Sequence, residues 1–455
     1  MKKSIYVLGI WILLIGNGCN KFLDEKSDKK LAVPNSLIDL QALMDDVVYV
    51  GGQTASESEV STDDYYVKDA DLNSLPESEQ ALYKWAPELP DDDRNGQGWQ
   101  NGYREVYYCN LVLERLLDLR DEDKNSAQGK DVMGQALLKR GVAMLAMAEI
   151  WTLGYSLENI ESPYGLPIRQ NTNFNERSKR ATLGETYSFI EKDLLKSVSL
   201  LPIKSISKYR PTKAAAYGYL ARLALFKNDY SKAIMYADSS LFFHNGKLLD
   251  FALLDATKRY PMPLPEENSE VIYVRGLTSA FILDQSVAKM SFKLLNIYDD
   301  NDYRLSLFFS FNSDSTKRFR GSYRGAASHF SGIAIDEMYL IKIEGLLRTG
   351  ELELAKALTK EFVKHRYDLS TGNLYGYLDI MSKDQFINFI LNERRKELVM
   401  RGIRWSDIKR LNKLGLNLNL ERIESNITLP ANDLRFAIPI PQKVIDKSQI
   451  LKNER

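Results

Sequence analysis

Glu393 and Glu397 stand one helical turn apart in the run Glu393-Arg394-Arg395-Lys396-Glu397. Paired carboxylates are the groups with which glycoside hydrolases protonate and attack a glycosidic bond. The neighbours argue for another role. Arg394, Arg395, Lys396, Arg401 and Arg404 crowd the same segment, and nearby cations keep carboxylates ionised, which disfavours a general acid. These residues read as an ion network that fixes a helix, so no catalytic residue is assigned. His244, His329 and His365 lie far apart and none has a ligand partner one helical turn away, so no zinc site is expected. No nucleophile elbow, phosphate loop or dinucleotide-binding glycine pattern occurs. The expectation is a chain without catalytic activity, metal or cofactor.

Binding without catalysis asks for ring faces and hydrogen-bonding groups on irregular chain, where binding residues concentrate. Asp63, Asp64, Tyr65 and Tyr66 supply both kinds of group, as do Trp85 with Asn95 and Gln97, and Tyr323-Arg324 near His329. Sugar C–H faces stack on such rings while amides, carboxylates and guanidinium groups bond the hydroxyls. The competing reading is that large aromatics fill the interior. Trp99, Tyr103 and Trp405 fall on helical stripes or in charged helical segments and are assigned to packing.

The elements that would position these groups are mainly helical. Leu37, Leu40, Leu43 and Met44 follow Pro34-Asn35-Ser36 at helical spacing. Trp99, Tyr103, Val106, Tyr107, Asn110, Leu113 and Leu117 form one stripe, and helices are expected over 132–153, 183–201, 212–227 and 230–242. Strand-like alternation is brief, as in Glu270-Val271-Ile272-Tyr273-Val274. In Tyr217–Leu241 the large, small and turn residues stand at tetratricopeptide-type offsets, with Ala221 and Ala233 letting two helices approach and Asn228-Asp229 turning between them. Tyr339–Phe362 repeats the pattern around Gly350. The expected architecture is a single unit over 34–455. One half, roughly 101–242 and 333–412, is helical repeat; the other, roughly 51–100, 243–332 and 413–455, is irregular with minor β.

Lys and Arg number 61, and so do Asp and Glu, leaving no bulk field to gather nucleic acid. At the N-terminus, Met1-Lys2-Lys3 precedes an apolar run from Ile5 to Ile15 and then Gly16-Asn17-Gly18-Cys19. A positive head, a short apolar core and small residues make a secretory signal peptide over 1–18, too short to span a bilayer, which takes about 20 apolar residues. The cysteine after the small residues resembles the lipobox of bacterial lipoproteins. That resemblance implies an acylated Cys19 followed by a polar tether over 19–33. Cys109 would then be the remaining thiol, read as a small buried hydrophobe.

Stretches along nearly the whole chain together resemble the SusD/RagB family. They are Cys19-Asn20-Lys21-Phe22-Leu23-Asp24, Trp99 with Tyr103, Tyr107 and Asn110-Leu111-Val112-Leu113-Glu114, Arg180-Ala181-Thr182 leading to Leu201-Pro202, and Thr212-Lys213-Ala214-Ala215-Ala216. Later come Ile335-Asp336-Glu337-Met338-Tyr339-Leu340, Glu393–Leu398 with Gly402 and Arg404-Trp405, and Ile438-Pro439-Ile440-Pro441. The resemblance implies a lipid-anchored outer-membrane protein facing the cell exterior. Such a protein captures a nutrient, an oligosaccharide or in other members a peptide, for a SusC-like TonB-dependent β-barrel transporter. A secreted glycoside hydrolase and a scaffold that binds only proteins are the alternatives from other functional classes.

Overall fold

Small residues set how closely the helices lie. In the computed structural model, which describes residues 34–455 apart from 93, 95, 423 and 425, helices α1 (Leu37–Asp45), α2 (Gln97–Asp118), α3 (Ala127–Trp151), α4 (Leu183–Leu200), α5 (Lys213–Phe226) and α6 (Tyr230–His244) precede a loop-rich stretch. Helices α7 (Ile335–Thr349), α8 (Leu352–Val363), α9 (Lys383–Glu397) and α10 (Arg404–Lys413) follow it. The signal peptide, Cys19 and the tether expected over 1–33 lie outside the described residues, as does Asn95.

The helices pack mostly on their sequence neighbours, α2 on α3, α3 on α4, α4 on α5, α5 on α6, α6 on α7 and α7 on α8, while α9 packs on α7. The α5–α6 hairpin closes through Ala221, Ala233 and Ala237, all without exposed surface. Asn228 turns between them at φ 59° and the Asp229 side chain accepts from the Lys232 amide. Gly345 brings α7 against α6, because a Cβ there would stand 2.7 Å from Ile234 Cγ1. Gly350, at φ 96°, turns α7 into α8. Capping boxes start α4 (Thr182 with Glu185) and α9 (Ser382 with Gln385), each box satisfying two amides that lack helical partners.

Helix α3 is buried on nearly every side, so its polar residues need internal partners. Lys139 donates to the Met44 and Val50 carbonyls, and Arg140 clamps Asp193 and bonds Asn110.

The remaining segments are stitched by two- and three-residue strands: β1 (Gln53–Thr54), β2 (Tyr65–Tyr66), β3 (Val271–Tyr273), β4 (Gly276–Leu277), β5 (Lys289–Met290), β6 (Phe309–Phe311), β7 (Lys317–Phe319), β8 (Ile333–Ala334), β9 (Leu420–Arg422) and β10 (Ile427–Leu429). β1 pairs parallel to β4, while β2–β5, β3–β8, β6–β7 and β9–β10 are antiparallel. A separate apolar cluster lies under these strands, drawn from 60–83 and 251–334 with Val399 and Met400.

Two local readings change. The stretch 51–100, read as irregular, contains helical turns at Glu57–Val60, Asp69–Leu72 and Glu77–Tyr83, and α2 already begins at Gln97. The stretch 413–455, read as irregular with minor β, contains the β9–β10 hairpin and also the helix Gln442–Ser448. Pro76 and Pro441 stand just before helices, where a missing amide costs nothing.

Candidate functional site

The carboxylates of α9 are interior. Glu393 and Glu397 are each 1% exposed and converge on Arg304, whose guanidinium lies 2.6 Å from Glu393 Oε2 and 3.0 Å from Glu397 Oε2. Asp302 holds the same guanidinium through two bonds. Arg366 bridges Glu397 and Glu270, and Arg401 clamps Asp336. Burial alone would raise the Glu393 carboxyl, but Arg304 and Lys396 outweigh it and bring it down to about 2. A group so held is an ionised strut. Glu270, Asp336 and Glu397 offer oxygens within 4.8 Å of one another, and Arg366 and Arg401 already occupy that cluster as counter-charges.

Most of the residues singled out in the sequence are engaged inside the protein. Asp63 bonds Arg395 of α9 and Arg404 of α10, and Asp64 accepts from Arg395 at 2.7 Å. Burial raises the Asp63 carboxyl, and these two guanidinium groups more than reverse that, holding it well below its usual range. Tyr65 is 1% exposed and its hydroxyl donates to the Val60 carbonyl; Tyr66 beside it is half-buried. Trp85 donates to the Ser61 carbonyl, with the Arg422 guanidinium 4.6 Å from its ring. The Tyr323 hydroxyl donates to Glu270, and Arg401 covers its ring at 4.0 Å. Gln97 is exposed at the start of α2, beside a cavity of about 50 Å³ shared with Glu57, Glu79 and Arg94.

Arg324 is placed differently. It lines an open groove of about 780 Å³ together with Tyr209, Arg259, Tyr260, Asp284, Gln285 and Arg318. The β1–β4 pair builds part of the wall, and the Leu277 amide extends it by bonding the His329 carbonyl. Lys208 ties the Tyr209 loop to the carbonyls of Pro265 and Asn268. The β6–β7 hairpin carries Arg318, and a turn closed by Gly325 N to Ser322 O carries Arg324. Gly276 leaves room for that arginine, since a Cβ would lie 3.0 Å from Arg324 Nη1. Among the described residues, the hydroxyls of Tyr209 and Tyr260 make no hydrogen bond within the chain, nor does the Arg259 side chain, which lies 5.3 Å from the Tyr260 ring centre. Burial lowers His329 to about 4, so it is neutral in ordinary buffers.

A second groove, of about 760 Å³, runs past Tyr303, Phe309, Phe311 and Arg320. Arg320 there is spent on three backbone carbonyls and Asp302 on Arg304. The second groove keeps Lys317 over the Phe311 ring and leaves the Tyr303 hydroxyl unbonded, but the first brings together two tyrosine rings and three arginines. Sequence reading named Arg324 and, near it, His329, and passed over Tyr209, Arg259, Tyr260, Asp284, Gln285 and Arg318. The one available signal was the concentration of arginine, serine and glycine over 318–332.

Two family profiles match the chain in order. One, described as starch-binding and associating with the outer membrane, covers residues 21–225, and one described as the SusD family covers 322–453. The chain belongs to the SusD family. A SusD superfamily protein from Bacteroides thetaiotaomicron superposes with a TM-score of 0.76 at 18% identity, covering 92% of this chain and 100% of the other. A protein described as sugar-binding, from Bacteroides vulgatus, gives 0.75 at 19% identity, covering 93% and 99%. A SusD-like protein of Formosa agariphila is 25% identical over 331 residues, which are 59% of this chain and 64% of that protein. A second from the same organism is 35% identical over 79 residues, 17% of this chain and 16% of the relative. This SusD-family chain therefore spans less than two thirds of either curated relative's length. The matched residues 322–453 include Arg324 of the groove and the α9 and α10 residues of the ion network.

Proposed function

We propose that this SusD-family chain is a non-catalytic surface protein that captures an oligosaccharide and passes it to a TonB-dependent β-barrel transporter, held at the outer membrane by lipid on Cys19. The observation that carries the binding step is the open groove, where Tyr209 and Tyr260 offer ring faces beside side chains with bonding capacity to spare. Shallow polar–aromatic surfaces suit sugars, whose rings carry apolar C–H faces and a rim of hydroxyls. A family description as starch-binding and a structural neighbour described as sugar-binding support the ligand class. The position of Glu393 and Glu397 inside an arginine network supports binding without turnover.

Titration calorimetry of the chain without its leader, against oligosaccharides of several linkages, tests the reading. Binding is expected without release of shorter products, and Tyr260→Ala should weaken it about ten-fold, or 1.4 kcal/mol, with the thermal midpoint unchanged. Full affinity in Tyr260→Ala, or binding of extended peptides and of no glycan, would sink the assignment.

A further inference from the structure

Three guanidinium groups, Arg259, Arg318 and Arg324, line the groove against one carboxylate, Asp284. The chain as a whole has no net charge, so this excess is local. The arginines of the buried network differ: Arg304, Arg366, Arg401 and Arg410 each lie within 3.0 Å of a carboxylate oxygen. None of the groove arginines has a carboxylate partner among the described residues. Arg324 spends its Nε on Ser328 Oγ, Arg318 bonds Ser310 Oγ and Asn312 Oδ1, and Arg259 makes only its contact with the Tyr260 ring. Asp284 is occupied at close range, accepting from the Ser286 amide and hydroxyl. His329 adds no opposing charge.

A planar guanidinium with free N–H groups matches the two oxygens of a carboxylate or sulfate in a bidentate way, and such charge-assisted bonds are about twice as strong as neutral ones. Neutral sugar hydroxyls do not need three uncompensated cations. From this geometry we infer that the groove selects an acidic oligosaccharide, one bearing carboxylate or sulfate groups, with Tyr260 stacking a sugar face and Arg318 and Arg324 taking the anionic substituents. The inference rests on the glycan-binding reading above and narrows it.

The test compares three probes on the chain without its leader: oligogalacturonate, sulfated galactan oligomers, and the same galactan oligomers without sulfate. At least one acidic probe is expected to bind about ten-fold or more tighter than the neutral one, with affinity falling as salt is raised through the range in which exposed charges are screened. Which acidic probe it is separates uronate from sulfate recognition. Arg318→Gln with Arg324→Gln should remove most of that preference, and Arg259→Gln alone should reduce it in part. Thermal midpoints of all variants matching the parent keep the comparison valid; if the double variant unfolds, the single Arg259→Gln variant carries the test. Equal affinity for neutral and acidic probes, with the arginine variants indifferent, overturns the charge selection and leaves glycan capture standing. No binding of any glycan overturns both.

Discussion

Arg366 has no exposed surface and sits between two acids, Glu397 Oε1 at 2.9 Å and Glu270 Oε1 at 2.8 Å. Buried ions are expensive unless each has a partner, and Arg304, Arg366, Arg401 and Lys396 face Asp302, Glu393, Glu397, Glu270 and Asp336 in one connected set. The acids outnumber the bases by one, and Glu270 is where the surplus is relieved. Burial raises it from 4.5 to about 7 against the pull of Arg366. The folded protein therefore keeps a proton on Glu270 through a range in which the unfolded chain has lost it. The unfolded state binds fewer protons there, so Glu270 makes stability fall as pH rises from about 4.5 to about 7. Glu270→Gln imitates the protonated acid and should remove that slope. Denaturant midpoints measured against pH would show the variant gaining on the parent across this window, by on the order of 3 kcal/mol at its top, and matching it below. Parallel curves would show that the surplus charge is relieved elsewhere.

At the scale of elements, helix contacts were legible and the groove was not, for one physical reason. A hairpin is written in contiguous sequence: Ala221, Ala233 and Asn228-Asp229 lie within one short stretch, and each does there what its size or turn preference allows. The groove is assembled from residues near 48, 209, 260, 284 and 318–329, and no local pattern records that they meet. The same distance hid the fate of Tyr65 and Trp85. Both sit in a stretch read as irregular, but Arg422, arriving from the β9–β10 hairpin, bonds the Tyr65 carbonyl, lies against both rings and helps close them in. The α6–α7 contact offers a direct test of the small-residue argument. Gly345→Ala gains helix propensity of about 1 kcal/mol but drives a methyl group to 2.7 Å from Ile234 Cγ1, and overpacking costs about 1–3 kcal/mol. The steric term should win, lowering the denaturant midpoint. Ile234→Ala in the same background should recover part of the loss, a coupling that a double-mutant cycle measures. Additive effects would mean that the two side chains do not meet.

For the whole molecule, the question is how a chain of this kind stays at a membrane. No helix among the described residues is long and apolar enough to cross a bilayer, and α2, the second longest of those helices, lays an amphipathic stripe against α3 and α1. In the function proposed above, attachment is through lipid on Cys19. A single acyl chain gives only marginal, reversible attachment, whereas two or more give a stable one. A multiply acylated cysteine would therefore hold the protein without help from its surface. Cys19→Ser should move the protein from the membrane pellet to the soluble fraction while leaving its thermal midpoint and glycan affinity unchanged, if Cys19 serves attachment alone. Fractionation with and without carbonate washing separates lipid from docking as the cause of retention. A Cys19→Ser protein that stays in the pellet but washes off with carbonate would mean that contact with the transporter holds it. Retention through the wash would remove Cys19 as the anchor.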